Sequence, residues 1–233
     1  MKVVVIISGG MDSVTLAHEM RNDHPEGKLH LVSFDYGQRH VKELEYAAEC
    51  ARDVDASGFD IIDLTGLTPL LATSGSSLVD RDTPVPDGHY AEETMKITVV
   101  PNRNAIMLSI ATGIAVAEGA SYVATGVHSG DHAIYPDCRP KFIEAMDQAM
   151  WIGNEGFARQ DFSIIAPFMA ITKADIASIG SRLGVDYSKT WSCYKGQEVH
   201  CGTCGTCTER KEAFSLAGIV DPTEYLQAGN AYV

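Results

Sequence analysis

Ser8-Gly9-Gly10-Met11-Asp12-Ser13 carries the first chemistry in this chain. Two consecutive glycines let a backbone turn tightly and approach a ligand closely, and a helix starting there points free N–H groups and its positive dipole end at that ligand. Anions belong in such a place. Ser8 and Ser13 add hydroxyl donors for phosphate oxygens, and Asp12 suits a Mg²⁺ that bridges them. The Walker signature Gly-Lys-Ser/Thr does not follow, so the loop is a phosphate cradle of another kind. A chain with this loop is expected to consume a nucleoside triphosphate.

The second constellation is Cys193, Cys201, Cys204 and Cys207, four of the six cysteines in the chain. Four thiolates at spacings of x7, x2 and x2 suit a closed tetrahedral Zn²⁺ site that staples a loop-rich segment. An iron–sulfur cluster shares the CxxCxxC spacing, but here the fourth cysteine lies upstream and no Cys-Pro follows. His200 is adjacent and is expected to stay outside a four-cysteine site. Cys50, in an apolar helical pattern, reads as an ordinary buried thiol, and Cys138 more weakly so. The third constellation runs from Thr125 to Pro140 and packs Asp131, Asp137, Tyr135, Arg139 and two histidines into one stretch. So much polar function after an apolar strand argues for a ligand site.

The elements that must hold these groups follow from hydrophobic patterning. Val3 to Ile7 is a continuous β-branched run, as in a parallel strand covered on both faces. Val14, Leu16, Ala17 and Met20 recur at helical spacing until Pro25. Leu29–Phe34 and Phe59–Leu64 read as strands, with a helix from about Gln38 to Val54 between them. A helix from about Asn102 to Glu118 leads to a strand at Tyr122–Gly126. This alternation predicts a doubly wound parallel α/β sheet with right-handed crossovers. Thr65 to Met95 has no sustained period, and a loop of that length is expected to be a lid or a surface insertion.

The chain has 233 residues, enough for one α/β domain and a small annex. Its formal net charge of −13 opposes binding to a phosphate backbone and favours a small-molecule substrate over nucleic acid. The opening apolar run is too short to span a membrane and lacks a signal cleavage site, so the expected place is the cytoplasm.

The hexapeptide resembles the pyrophosphate loop of the N-type ATP pyrophosphatases, which cleave ATP between the α- and β-phosphates and transfer AMP to a substrate oxygen. Further segments narrow the likeness: Phe34 to His40, Val100-Pro101-Asn102-Arg103-Asn104, Tyr135 to Arg139, Lys173-Ala174-Asp175-Ile176, and Thr190 to Tyr194 leading into the cysteines. Taken together, the chain resembles the QueC family of 7-cyano-7-deazaguanine synthases, of the queuosine and archaeosine pathways. The resemblance implies a PP-loop (adenine nucleotide alpha hydrolase-like) domain over residues 1–187, with a C-terminal four-cysteine zinc-binding segment over 188–233. It implies an ATP-dependent C–N ligase that turns 7-carboxy-7-deazaguanine and ammonia into the nitrile through adenylated acid and amide intermediates. The expected cofactors are ATP with Mg²⁺ and one structural Zn²⁺.

On this reading Ser8, Gly9, Gly10, Met11, Asp12 and Ser13 hold the nucleotide, and Asp12, Ser13, Arg103 and Lys173 do the chemistry. Arg139 would pair with the substrate carboxylate, Asp131 or Asp137 would take the amidine edge, and Tyr135 would line the same site. No cysteine precedes Cys50, which leaves no place for a Cys-led glutaminase, so ammonium or a separate donor is expected. A homodimer is implied by the same resemblance. The competing classes are a tRNA thiolase or lysidine-type enzyme, disfavoured by the acidic charge, and a zinc-ribbon binding module, which would leave the phosphate loop without a purpose.

Overall fold

The computed structural model describes residues 1–89 and 93–226. Five parallel strands lie in the order β3-β2-β1-β4-β5: β1 (Lys2–Ile6), β2 (Lys28–Asp35), β3 (Gly58–Asp63), β4 (Tyr122–Ala124) and β5 (Ser163–Ile165). In the centre Val5 stands opposite Leu31 on one side and Ala124 on the other. Strand order reverses direction between β1 and β4, and this is the point at which open α/β sheets leave a crevice beyond the strand ends. The doubly wound sheet expected from the sequence is therefore present.

Period-two alternation in β1 sorts the two cores. Val3, Val5 and Ile7 face a layer formed by α1 (Met11–Asp23), α2 (Glu43–Asp53) and α6 (Lys173–Leu183), with Phe214 of α7 (Gly205–Ala217) packed into it. Val4 faces the other layer, α4 (Arg103–Glu118) and α5 (Pro140–Gly153). Strand β5 and helices α5, α6 and α7 lie beyond the reach of the periodicity argument. Among the described residues no helix is long and apolar enough to cross a membrane.

One expectation needs correction and another is sharpened. Helix α2 starts at Glu43 and not near Gln38. Gln38 turns back on the end of β2, where Oε1 accepts from Tyr36 N (2.9 Å) and Nε2 donates to Phe34 O (3.0 Å), and residues 39–42 form a turn before the helix. The stretch from Thr65 to Met95, expected as a lid or insertion, is tied down over much of its length. It contains the short α3 (Thr68–Ala72). The Arg39 guanidinium then donates to the carbonyls of Ser77, Asp80, Arg81 and Thr83 at 2.8–3.1 Å. Gly88 N reaches Thr203 O at 3.1 Å beside the cysteine segment. Residues 90–92 of this stretch lie outside the described residues.

Candidate functional site

A cleft of about 1130 Å³, counted out to its open mouth, lies beyond the carboxyl ends of β1, β2 and β4. Its floor is the loop from Ser8 to Ser13. Gly9 has φ +80°, and a Cβ there would run into the Glu43 carbonyl, so only glycine fits. Gly10 has ordinary extended geometry and acts as the N-cap of α1 without a side-chain cap, which leaves the first helical N–H groups for a ligand. Ser13 Oγ donates to Gly10 O and accepts from Ser8 N, both at 3.1 Å, and Ser8 Oγ closes the ring at 3.1 Å from Ser13 Oγ. The two hydroxyls thus hold the loop's shape as well as lining the cleft. Trp191 N donates to Gly9 O at 2.9 Å and anchors the loop from the far side.

Asp12 is the polar centre of this end. Its Oδ2 lies 3.0 Å from Lys173 Nζ, while Oδ1 is buried with no hydrogen-bond partner among the described residues. A buried carboxylate oxygen with nothing to accept from suits a hard cation, so the residues present fit Mg²⁺. Burial alone would lower the Lys173 pKa, but the Asp12 and Glu209 carboxylates outweigh it and hold the ammonium well above its ordinary range. Glu209 Oε2 is 2.8 Å from Lys173 Nζ; sequence reasoning missed it, because it lies 36 positions away on another helix.

His128, nearly fully buried, accepts from Gly130 N through Nδ1 at 3.1 Å. That puts the ring proton on Nε2 in the neutral form, facing Asp131 Oδ2 at 3.7 Å and Asp12 Oδ2 at 3.8 Å. Asp131 Oδ2 in turn accepts from His128 N at 3.1 Å.

The opposite end of the cleft is assembled from scattered residues. Asn102 takes a left-handed conformation (φ +59°), uncommon for a non-glycine, at the start of α4. Arg103 follows it and donates to Tyr36 OH at 3.2 Å. Tyr135 lies at the wall, its OH 2.6 Å from Thr98 Oγ1. Neither Glu43 nor His40 was singled out from the sequence as a site residue, yet both are buried polar groups lining the cleft. Burial pushes the Glu43 carboxyl up to about 8, although Gln38 donation and the Arg103 charge pull the other way. His40 Nε2 is 3.4 Å from Glu43 Oε2, and its Nδ1 is buried without a partner among the described residues. Burial, with the charges of Arg103, Arg81 and Arg39, drives the His40 pKa down to about 3, so the ring is neutral. Tyr194 packs on it at 5.1 Å between centroids. The signal that pointed here was the Phe34 to His40 segment, but not its depth.

Two predicted substrate residues are not brought to the cleft. Asp137 Oδ2 accepts from Asn104 N at 3.1 Å, so its carboxylate caps the first turn of α4. Arg139 is exposed, and its Nε donates to His132 O at 2.8 Å. The chain between Tyr135 and α5 turns outward through Pro136–Cys138, and the charges go with it. Cys138, buried between them, lines the cleft and receives a contact from Asn104 Nδ2 at 3.2 Å. Burial pushes its thiol well above the usual range. Cys50 is buried in α2 and pushed up to about 12 by burial, as an ordinary interior thiol would be.

The four cysteines do converge. Cys193, Cys201, Cys204 and Cys207 are all buried free thiols, with their sulfurs within 4.8 Å of one another. A tetrahedral centre with Zn–S near 2.3 Å has S···S edges of about 3.8 Å, and Cys201 Sγ to Cys207 Sγ is 3.9 Å. Amide N–H groups of Thr203 and Cys204 point at Cys201 Sγ at 3.4 and 3.3 Å, which favours a thiolate there. His200 stays outside: its Nε2 accepts from Ser192 N at 3.0 Å and its ring stacks on Trp191 at 4.3 Å. The donor set fits one metal ion.

Comparison with known proteins adds identity to geometry. The family profile described as "Queuosine biosynthesis protein QueC" matches residues 2–218. A protein of Allorhizobium ampelinum named 7-cyano-7-deazaguanine synthase is 55% identical over 225 residues, spanning 97% of this chain and 92% of its own. A protein of the same name from Brucella ovis is 55% identical over 228 residues, spanning 98% and 95%. Among solved structures, NMN synthetase from Francisella tularensis superposes with a TM-score of 0.50 over 94% of this chain and 77% of its own. It is 12% identical, a likeness of fold alone.

Proposed function

The chain belongs to the QueC family of queuosine biosynthesis proteins, and from that premise we propose that it converts 7-carboxy-7-deazaguanine and ammonia to 7-cyano-7-deazaguanine. The observation that carries this reading is one continuous cleft, with a phosphate cradle at one end and buried hydrogen-bonding groups at the other.

ATP lies with its phosphates on the Ser8 to Ser13 loop, where backbone N–H groups and the α1 dipole neutralise charge as pyrophosphate departs. Asp12 Oδ1 would hold Mg²⁺, which supplies further charge neutralisation on the phosphates. Lys173 contacts the same phosphates, and Arg103, toward the other end of the cleft, would meet the substrate's reacting carboxylate. The substrate carboxylate oxygen attacks the α-phosphorus and pyrophosphate leaves. Ammonia then adds to the acyl carbon, and AMP departs with the carboxylate oxygen to give the amide. A second ATP adenylates the amide oxygen, and loss of AMP and of the remaining N–H protons forms the C≡N bond.

With Asp137 and Arg139 directed elsewhere and Asp131 beside His128 and Lys173, Tyr135, Glu43 and His40 are left to grip the base. The ionised Glu43 carboxylate offers two acceptors to the paired N–H donors of a guanine-like amidine edge. Residues 1–187 form the nucleotide-binding part and 188–233 the metal-binding part, with the four cysteines on one structural Zn²⁺. The protein works in the cytoplasm as a homodimer using free ammonium or a separate ammonia donor; exposed Trp151 and Ile152 in the last turn of α5 and Phe157 just after it support a subunit contact.

Purified protein given 7-carboxy-7-deazaguanine, ATP and ¹⁵N-ammonium is expected to yield labelled nitrile by mass spectrometry. Absence of both amide and nitrile would overturn the assignment.

A further inference from the structure

Helix α7 starts inside the cysteine cluster: Cys204 is its N-cap and Cys207 lies in its first turn. The next residues of the same helix reach the ATP site. Glu209 Oε2 is 2.8 Å from Lys173 Nζ, which is 3.0 Å from Asp12 Oδ2. The side chains of Lys173 and Glu209 are only 11% and 12% exposed. Lys173 is the first residue of α6, where the helix dipole disfavours a cation. Its place therefore depends on the carboxylates beside it. If Asp12 were engaged by a cation at the loop, Glu209 would still hold the lysine at 2.8 Å, with the charge of Asp131 adding to it.

Arg210, fully buried, works on the other flank of the loop. It donates to Thr190 Oγ1 at 2.7 Å, Tyr187 O at 2.9 Å and Ser192 Oγ at 3.2 Å. This fixes the segment whose Trp191 N holds Gly9 O at 2.9 Å. One helix, rooted in the cysteine cluster, thus sets both the lysine and the loop.

We infer that Glu209 is a positioning residue that holds Lys173 at the phosphate loop, and that through α7 it makes ATP affinity depend on metal occupation of the four-cysteine centre. This rests on the reading of the loop as an ATP site and of the cysteines as a metal site. Linkage is reciprocal, so bound nucleotide must tighten the metal by the same factor that metal tightens nucleotide.

The test uses zinc-loaded full-length protein and α,β-methylene-ATP, which cannot be cleaved at the reacting bond. Zinc affinity is measured by equilibrium competition with a chelator, with and without the nucleotide, in wild type and in Glu209→Gln. Nucleotide is expected to tighten zinc in wild type by at least about fivefold, the low end of ordinary coupling. In Glu209→Gln most of that factor disappears, while zinc stoichiometry and the circular-dichroism spectrum stay at wild type; the melting temperature falls, as loss of one partner of a buried ion pair implies. In steady state the variant's KM for ATP rises about tenfold, as loss of a charge-assisted hydrogen bond implies, with the KM for the deazaguanine acid unmoved. A wild-type protein whose zinc affinity ignores the nucleotide overturns the linkage, and a Glu209→Gln protein that keeps the full factor overturns the role of Glu209. Nucleotide that fails to bind the loaded protein at all overturns the ATP reading and this inference together.

Discussion

The two ends of the cleft are built by opposite means. At the phosphate end six consecutive residues supply backbone N–H groups, two hydroxyls and a helix terminus, and their shape is held by hydrogen bonds within the loop itself. At the acceptor end His40 and Glu43 come from one segment and Arg103, Tyr135 and Tyr194 from three others. Each is placed by what lies behind it: a strained Asn102 before Arg103, the Gln38 amide behind Glu43. On the proposed reading, the local, backbone-built end would bind what every ATP has in common, and the dispersed, side-chain-built end would select one acyl acceptor.

The largest test of this contrast is Lys173→Met. Removing the buried ammonium that reaches Asp12 is expected to lower kcat/KM for ATP by about 10²–10³, the loss found for a preorganised charge at a reacting phosphate or oxyanion; a change under about tenfold would mean the phosphate end is backbone alone. Next comes Gly9→Ala, which meets both the +80° φ and the Glu43 carbonyl. It is expected to cost about 2–3 kcal/mol of stability, read as a fall in melting temperature, and to weaken ATP binding. The shared contact between Gly9 and Glu43 is where the two ends would fail together.

Glu43→Gln is expected to separate them. The amide cannot offer two acceptors, so the KM for the deazaguanine acid should rise about tenfold or more while ATP affinity stays put. The same carboxyl gives a pH signature. With its pKa raised to about 8 in the folded chain, a ligand that needs the ionised form must expel a proton at neutral pH. Acid affinity is therefore expected to climb as pH rises toward 8 and level off above it, with no matching trend for ATP alone. The stability term has the opposite sense: the neutral carboxyl is the form the fold accepts, so stability is full below pH 4.5 on this group's account and is lost as pH rises through about 8. The smallest expected effect is Arg139→Ala. An exposed guanidinium bonded to a local carbonyl should leave both KM values within about twofold, and stability within about 0.5 kcal/mol.

The legible parts of the site were those whose function resides in contiguous chain. The loop from Ser8 to Ser13 and the CxxCxxC run announce themselves because backbone turns and short-range chelation need residue types at set spacings. The segment from Tyr135 to Arg139 was legible only in part: Tyr135 and Cys138 line the cleft, whereas Asp137 and Arg139 do not. Its density of charge was visible, but whether Asp137 and Arg139 face the cleft depends on the turn at Pro136 and on the N–H donors of α4, which take the carboxylate as a cap. Glu209 was invisible because its partner Lys173 belongs to a different helix.

By itself the sequence determined the parallel sheet, through β-branched runs alternating with helical spacing, the anion-binding turn after β1, and the four thiols that could close on one metal. These are properties of chain segments a few residues long, set by local sterics and periodicity. Only the tertiary structure decided which buried carboxyl faces the acceptor, which charges are spent on caps, and that α7 joins the metal centre to Lys173. Those outcomes turn on desolvation and on pairing between elements far apart in sequence, and neither exists until the layers have packed.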